Sequence, residues 1–509
     1  MTLVTGSWLL DAALPLLLVP LLYWYATRNF DHWKKLGIPY MKPIPYVGNM
    51  GSVVIGRKHM GEPVFECYRR AGDAPFMGMF AFDKPILLVK DPALIGRIMT
   101  TDFSTFYATN AKIDPVTDPV FATSLFSQHG AGWRKLRTSL TPAFTSGKMK
   151  LMFHLLNETG QKLTNHLESA ASKGTEVELK DVMARYMTDA VCSIFMGVDA
   201  NSLENPKSPL REHVRGILRE TVVGRIVTTL AFFAPQILST LRIRLGSKKV
   251  EDFFVQNTVK LIEHRKETGI VRNDVIDMLT KIKEEQPEGD NEQLKLTNEF
   301  IAGQLMSFLA AGFDNSSSTL AFALFELAWN QSLQEEVRQH VRHVLTKHGG
   351  HIMYEAVNEM TDLTNVVSET QRKYPTANFL NREASRDYRI EGTDIVLPKG
   401  TAVFVSVAGL HSDPKYWREP LRFWPDPFRE ENSRDRPSHT FMPFGEGPRT
   451  CIGMRFAYMQ VKAALVHILN NFEVHPAPST PTTLSYHPSR LVGTPAVNLS
   501  LLFKKTSCS

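Results

Sequence analysis

Of the four cysteines, Cys67, Cys192, Cys451 and Cys508, only Cys451 sits in a setting that suggests chemistry. It lies in FMPFGEGPRTCIGMRFAYMQ (residues 441–460), where a loop rich in glycine and proline runs into a helical pattern. A thiolate there would stand at a helix start, where unpaired amides and the positive end of the helix dipole stabilise negative sulfur. Gly447 and Gly453 would let the backbone approach a bulky cofactor closely. No CxxC pair or histidine cluster accompanies the cysteine, so neither a zinc site nor a disulfide framework is indicated. The chemistry on offer is that of a single metal-bound thiolate. Taken alone, a cysteine in an apolar loop is more often a small buried residue, so the spacing around it must decide.

Three further groupings could carry chemistry. Trp133 and Arg137 form W-x-x-x-R, which places both on one helix face. Glu369 and Arg372 in SETQR stand three apart on a helix; an exposed pair of this kind contributes only about 0.2–0.5 kcal/mol. Asp314, Asn315 and Ser316 interrupt the long apolar segment Thr297 to Asn330 in the phrase AAGFDNSSST. For the serines there, the plain alternative to a chemical role is a bond back to a helix carbonyl.

The elements that must position these residues are mostly helical. Apolar residues three and four apart mark Lys148 to Leu167 and Leu333 to Lys347, and apolar residues on nearly every face make Thr297 to Asn330 a buried central helix. Strands are short and few: PILLVK near Leu87, YRIEGTDIVL near Ile390, and VNLSLLF near the end. KIKEEQPEGDNEQLKL, from Lys281, reads as a loop. The fold class is mainly α with small β-sheets, preceded by one N-terminal membrane helix.

The sequence divides into an anchor over 1–28, a proline-containing linker over 29–48 and a catalytic domain over 49–509. WLLDAALPLLLVPLLYWY, from Trp8 to Tyr25, has aromatic residues at both ends, with Arg28, Lys34 and Lys35 following and no basic residue before it. That asymmetry places the bulk of the chain in the cytosol. Pro39, Pro43 and Pro45 favour extended backbone after it. A second apolar stretch, Thr221 to Leu238, is interrupted by Arg225 and Pro235 and suits core packing and a membrane-surface patch equally. The 509 residues carry 58 basic and 52 acidic side chains, a net charge of +6 that does not indicate nucleic-acid binding.

Phe444, Gly447, Arg449, Cys451 and Gly453 match F-x-x-G-x-R-x-C-x-G at every specified position, and here the chain resembles the cytochrome P-450 family. Phrases such as WRKLRTSLTPAFTSGKMK are similar to its microsomal branch, which includes insect detoxification and vertebrate drug-metabolising enzymes. The resemblance implies the cytochrome P-450 fold and a monooxygenase that inserts one oxygen atom of O2 into a lipophilic small molecule, whether xenobiotic, steroid or terpenoid, or fatty acid. It implies haem b (heme) with Cys451 as axial iron ligand and Phe444 beside the sulfur. Trp133, Arg137, Arg382 and Arg449 become partners of the propionates, and Glu369 with Arg372 a buried structural support. Electrons are implied to come from NADPH through NADPH-cytochrome P-450 reductase, with cytochrome b5 as a possible assistant, at the endoplasmic reticulum membrane. The family's variable regions supply pocket candidates: Phe103, Phe106, Tyr107, Phe121, Phe126, Phe308, Ala311 and Phe379. Each is about as readily plain core.

Two positions depart from the family pattern. In FWPDPFREEN, Pro427 stands where the family places an arginine or histidine that completes the Glu369–Arg372 network, so that network must close differently, with Arg429 one candidate. Asn315 stands where the family has a threonine that takes part in proton delivery, while Asp314 is retained. An amide is a poor proton relay. Ser316 is rotated by about 100° from Asn315, and Ser318 lies nearer the same face. The departure leaves open an enzyme that rearranges preformed peroxides, or a haem carrier without turnover; Asp314 and the anchor favour the monooxygenase.

Overall fold

The computed structural model describes residues 8–217, 221–272, 274–284, 297–434 and 436–506, with side chains from residue 18 onward. The loop expected from Lys281 to Leu296 falls largely outside the described residues. Among the described residues the chain is mainly helical with three small sheets.

The central helix, Asn298–Trp329, is buried along nearly its whole length, as apolar residues on every face require. Thr297 caps its start by accepting the Phe300 amide. It packs along Leu179–Phe195 and against Met454–Asn471, the helix that follows Cys451. Ser146–Lys173 and Gln331–Lys347 contain the two periodic segments, and Ser146–Lys173 ends on Gly174 in the left-handed region.

The larger sheet orders its strands Phe76–Ala81, Lys84–Val89, Ala402–Ser406, Phe379–Glu383. Its one parallel pair joins Lys84–Val89 to Ala402–Ser406, and Arg382 is carried on the edge strand opposite Val403. YRIEGTDIVL forms two short antiparallel strands, Tyr388–Arg389 and Val396–Leu397, around a turn, and Ser500–Lys505 pairs with Phe472–Pro476.

Apolar side chains gather in one core among the helices and a second around the larger sheet. Trp33 is fully buried in the sheet core, donating its indole N–H to the Met79 carbonyl at 3.1 Å. Gly78 leaves room for that indole, since a Cβ there would lie 2.4 Å from the ring. Residues 33–41 thus pack on the catalytic body through Trp33, Ile38 and a Met41 amide bond to Gly78.

Among the described residues no single helix is long and apolar enough to cross a membrane. Trp8–Thr27 is helical, and Leu18, Val19, Leu21 and Leu22 are exposed on it. Thr221 to Leu238 forms two helices, Val222–Phe233 and Pro235–Leu241, bent by 116° where Pro235 starts the second. Both readings of this stretch have their residues: Val227, Ala231, Phe233 and Leu238 are buried, whereas Val222, Val223 and Ile226 are exposed.

Candidate functional site

Cys451 is held by the loop rather than by its helix. Its amide donates to the Phe444 carbonyl at 2.9 Å, and the Thr450 amide to Gly447 at 2.9 Å. Arg137 Nη1 reaches the Thr450 carbonyl at 2.8 Å, tying the Gly130–Leu140 helix to the loop. Gly453 precedes the first helical residue, Met454. Burial pushes the thiol pKa up, while a hydrogen bond from the Gly453 amide and the charge of Arg137 pull it down. Burial thus favours the neutral thiol, and a metal bound at the sulfur would favour the thiolate instead.

Gly447 has a φ of 71°, and a Cβ there would lie 1.9 Å from the Met99 carbonyl oxygen. Backbone cannot yield to that contact. Gly447→Ala is expected to destabilise the protein by more than about 2 kcal/mol and to lower the haem-to-protein ratio of what is purified. A melting temperature equal to that of the wild type would contradict this.

The sulfur opens onto an internal cavity of about 450 Å³, so Cys451 is exposed to that space while protein packs around it. Trp133, Arg137, Arg382, Phe444 and Arg449 line the same cavity, as do Phe121, Phe126, Phe308, Ala311, Asn315 and Phe379. Phe106 does not: it is fully buried in the sheet core with its ring 4.8 Å from Tyr388. Phe103 packs in the helical core, its ring 5.7 Å from Trp133, and Tyr107 leans on that core as well.

Arg137, Arg382 and Arg449 converge at one end, and among the described residues none of them forms an ion pair. Arg449 donates to the carbonyls of Tyr107 and Gln128, both at 2.7 Å, and lies 4.5 Å from the Trp133 ring centroid. Arg382 donates to the Asn381 carbonyl, and its Nε is buried without a partner. Burial, then the charges of Arg382 and Arg137, press Arg449 down to about 9, and burial alone takes Arg382 to about 10. Such a cluster calls for an anionic guest. A flat apolar cofactor carrying two carboxylates and a metal that Cys451 would ligate meets that need, so the residues present fit haem b.

The polar run of the central helix is split by its geometry. Asn315 reaches the cavity, its Nδ2 donating to the Ala311 carbonyl at 3.1 Å. Asp314 and Ser316, expected beside it at the reaction face, lie off the cavity because each is turned by about 100° from Asn315. Asp314 faces Leu179–Phe195, where Lys180 Nζ sits 2.8 Å from its carboxylate. The same ammonium contacts Ser317 at 2.7 Å and Ser318 at 2.9 Å. Ser318 donates back to the Asp314 carbonyl at 2.8 Å, and Ser316 is hydrogen-bonded to Gln460.

Glu369 and Arg372 are buried and joined twice, at 2.7 and 2.8 Å. The donor that Pro427 cannot supply comes from the Trp424 amide, 2.8 Å from Glu369 Oε1. Arg429 does not complete the network: it pairs with Glu336 at 2.8 Å and Asp426 at 3.0 Å, nearer the surface.

Two histidines escaped the sequence reading. His411 is fully buried and links the Arg372 helix to the cysteine loop, accepting the Met442 amide at Nε2 (3.0 Å) and facing the Gln371 carbonyl with Nδ1 (3.3 Å). Burial presses its pKa to about 3, which keeps Nε2 an acceptor at neutral pH. His129, the residue before the Trp133 helix, lies 3.4 Å from Arg449 through Nδ1 and leaves Nε2 buried without a partner. Neither has a motif; only the helix-start position of His129, in HGAGW, was legible.

Residues 38–503 match the family model described as Cytochrome P450. The chain is 37% identical to Cytochrome P450 6j1 of Blattella germanica, over 97% of this chain and 98% of that one. It is 34% identical to Cytochrome P450 6k1 of the same organism, over 100% and 99% of the two chains. Against Probable cytochrome P450 6w1 of Drosophila melanogaster the identity is 33%, over 95% and 96%.

Proposed function

The chain belongs to the cytochrome P-450 family and is a haem-thiolate monooxygenase, and on that premise we propose that it hydroxylates a lipophilic small molecule at the microsomal membrane with electrons from NADPH through the flavoprotein reductase. The observation that carries the reading is the cavity itself, lined by one accessible sulfur, by three arginines without an ion pair among the described residues, and by Phe121, Phe308 and Phe379.

The haem, when bound, supplies the reductive activation of dioxygen and the transfer of one oxygen atom. The chain's own residues do the rest. Cys451 would hold the metal through its sulfur, and Phe444 lines the same cavity. Arg137, Arg382 and Arg449 would hold the cofactor through its carboxylates. Phe308 and Ala311 on the central helix, together with Phe379, present an apolar surface that binds substrate and excludes water. Lys180 holds Asp314 on a face of the central helix that lies off the cavity. The overall reaction consumes substrate, O2, NADPH and one proton and releases hydroxylated product, water and NADP+.

The membrane reading is supported by the apolar stretch from Trp8 to Tyr25 and the basic residues that follow it. Exposed Val222, Val223 and Ile226 add an apolar surface beside residues 51–54, where Arg225 reaches the Val54 carbonyl at 3.5 Å.

The test is reconstitution of the full chain in lipid with NADPH, the reductase and isotopically labelled dioxygen. One labelled oxygen atom in the organic product is expected. Product formed from an organic peroxide alone, with no label and no need for reductase, would contradict the reading.

A further inference from the structure

Ser307 and Asn315 are the polar residues that the central helix presents to the cavity. Among residues 308–319, those lining the cavity are Phe308, Ala310, Ala311 and Asn315. The amide's orientation is set by chemistry, because the Ala311 carbonyl facing it at 3.1 Å is an acceptor and requires the NH2 group. Asn315 Oδ1 is thereby left without a protein partner among the described residues. The nearby hydroxyls cannot serve it: Ser316 is engaged with Gln460, Ser317 and Ser318 with Lys180, and Thr319 with the Asn315 carbonyl at 3.0 Å. A ligand that fills the cavity strips water from this oxygen and must replace the lost donor or leave it unpaired.

We propose that Asn315 is a specificity-determining residue that favours lipophilic substrates bearing a hydroxyl group, which donates to Asn315 Oδ1. The inference rests on the monooxygenase reading for the word substrate, but the binding preference stands without it. A hydrocarbon or an ether of the same shape has no hydrogen to give and leaves the acceptor dehydrated. An alcohol satisfies it.

The test is calorimetric binding of three matched pairs to the full-length haem-loaded protein: dodecanol, farnesol and testosterone, each against its methyl ether. The alcohol is expected to bind about tenfold more tightly in at least one pair, the affinity equivalent of one neutral hydrogen bond. In Asn315→Leu, of similar size but without the acceptor, the ratio should fall to about one. In Asn315→Thr it should also collapse, since a hydroxyl can accept from the alcohol and donate to the ether. Wild-type protein that shows no preference in any pair, through equal binding or no binding, overturns the proposal. So does a preference that survives unchanged in Asn315→Leu or Asn315→Thr. Failure of labelled oxygen to enter product while the preference persists would count against the monooxygenase reading alone.

Discussion

Arg372→Ala is expected to leave almost no folded, haem-containing protein. Its guanidinium has 3% of its side chain exposed and Glu369 has 1%, so neither charge is offset by water. Besides its two bonds to Glu369, Arg372 donates to the carbonyls of His411 and Pro420 at 2.9 Å and of Arg422 at 3.1 Å. These three carbonyls belong to the segment that leads to the cysteine loop, and the arginine pins it to the Thr361–Lys373 helix. Removing it abandons one buried and two part-buried acceptors, and a carboxylate that burial already pushes toward its protonated form. Breaking a buried pair in this way costs about 3–5 kcal/mol, a large share of a typical folding free energy. Lysine could reach Glu369 but lacks the planar fork that meets several acceptors at once, so Arg372→Lys should rescue little. Haem-to-protein ratio and thermal midpoint are the measurements; an Arg372→Ala protein that purifies with wild-type haem content would refute this account of the network.

Cys451→Ala should do the opposite: keep the fold and lose the chemistry. The bond that holds position 451 is its backbone amide to Phe444, which alanine retains, and the sulfur itself faces the cavity. Stability should change by less than about 1 kcal/mol, since no packed core is emptied. Reductase-dependent turnover should fall by more than about a hundredfold, the upper end of what losing even an outer-shell partner costs a metal site. Residual turnover within a few-fold of wild type would mean that another side chain ligates the metal.

What the sequence disclosed and withheld follows from the range of the interactions. The Asn298–Trp329 helix was legible because its signal, apolar residues on every face, is local, as were Ser500–Lys505 and the loop before Met454. The spacing F-x-x-G-x-R-x-C-x-G concentrates its information in ten residues. By contrast, the Trp424 amide that replaces the donor missing at Pro427 is a backbone group, which no residue type advertises, and Arg429 offered a more visible but incorrect candidate. Lys180 reaches Asp314 across more than a hundred positions, so the burial of that carboxylate on the wrong side of the helix for direct chemistry had no sequence signature. Phe106 and Phe308 look alike in sequence, and only packing sends one to the sheet core and the other to the cavity.

The most direct measurement is the reduced carbon monoxide difference spectrum of the full-length protein, wild type beside Cys451→Ala. The red-shifted Soret band of thiolate-ligated haem is expected in the wild type and its loss in the variant, with both proteins folded. A folded wild-type protein that takes up no haem, or a variant that keeps the band, would contradict the assignment of Cys451 as the ligand on which the enzyme's chemistry depends.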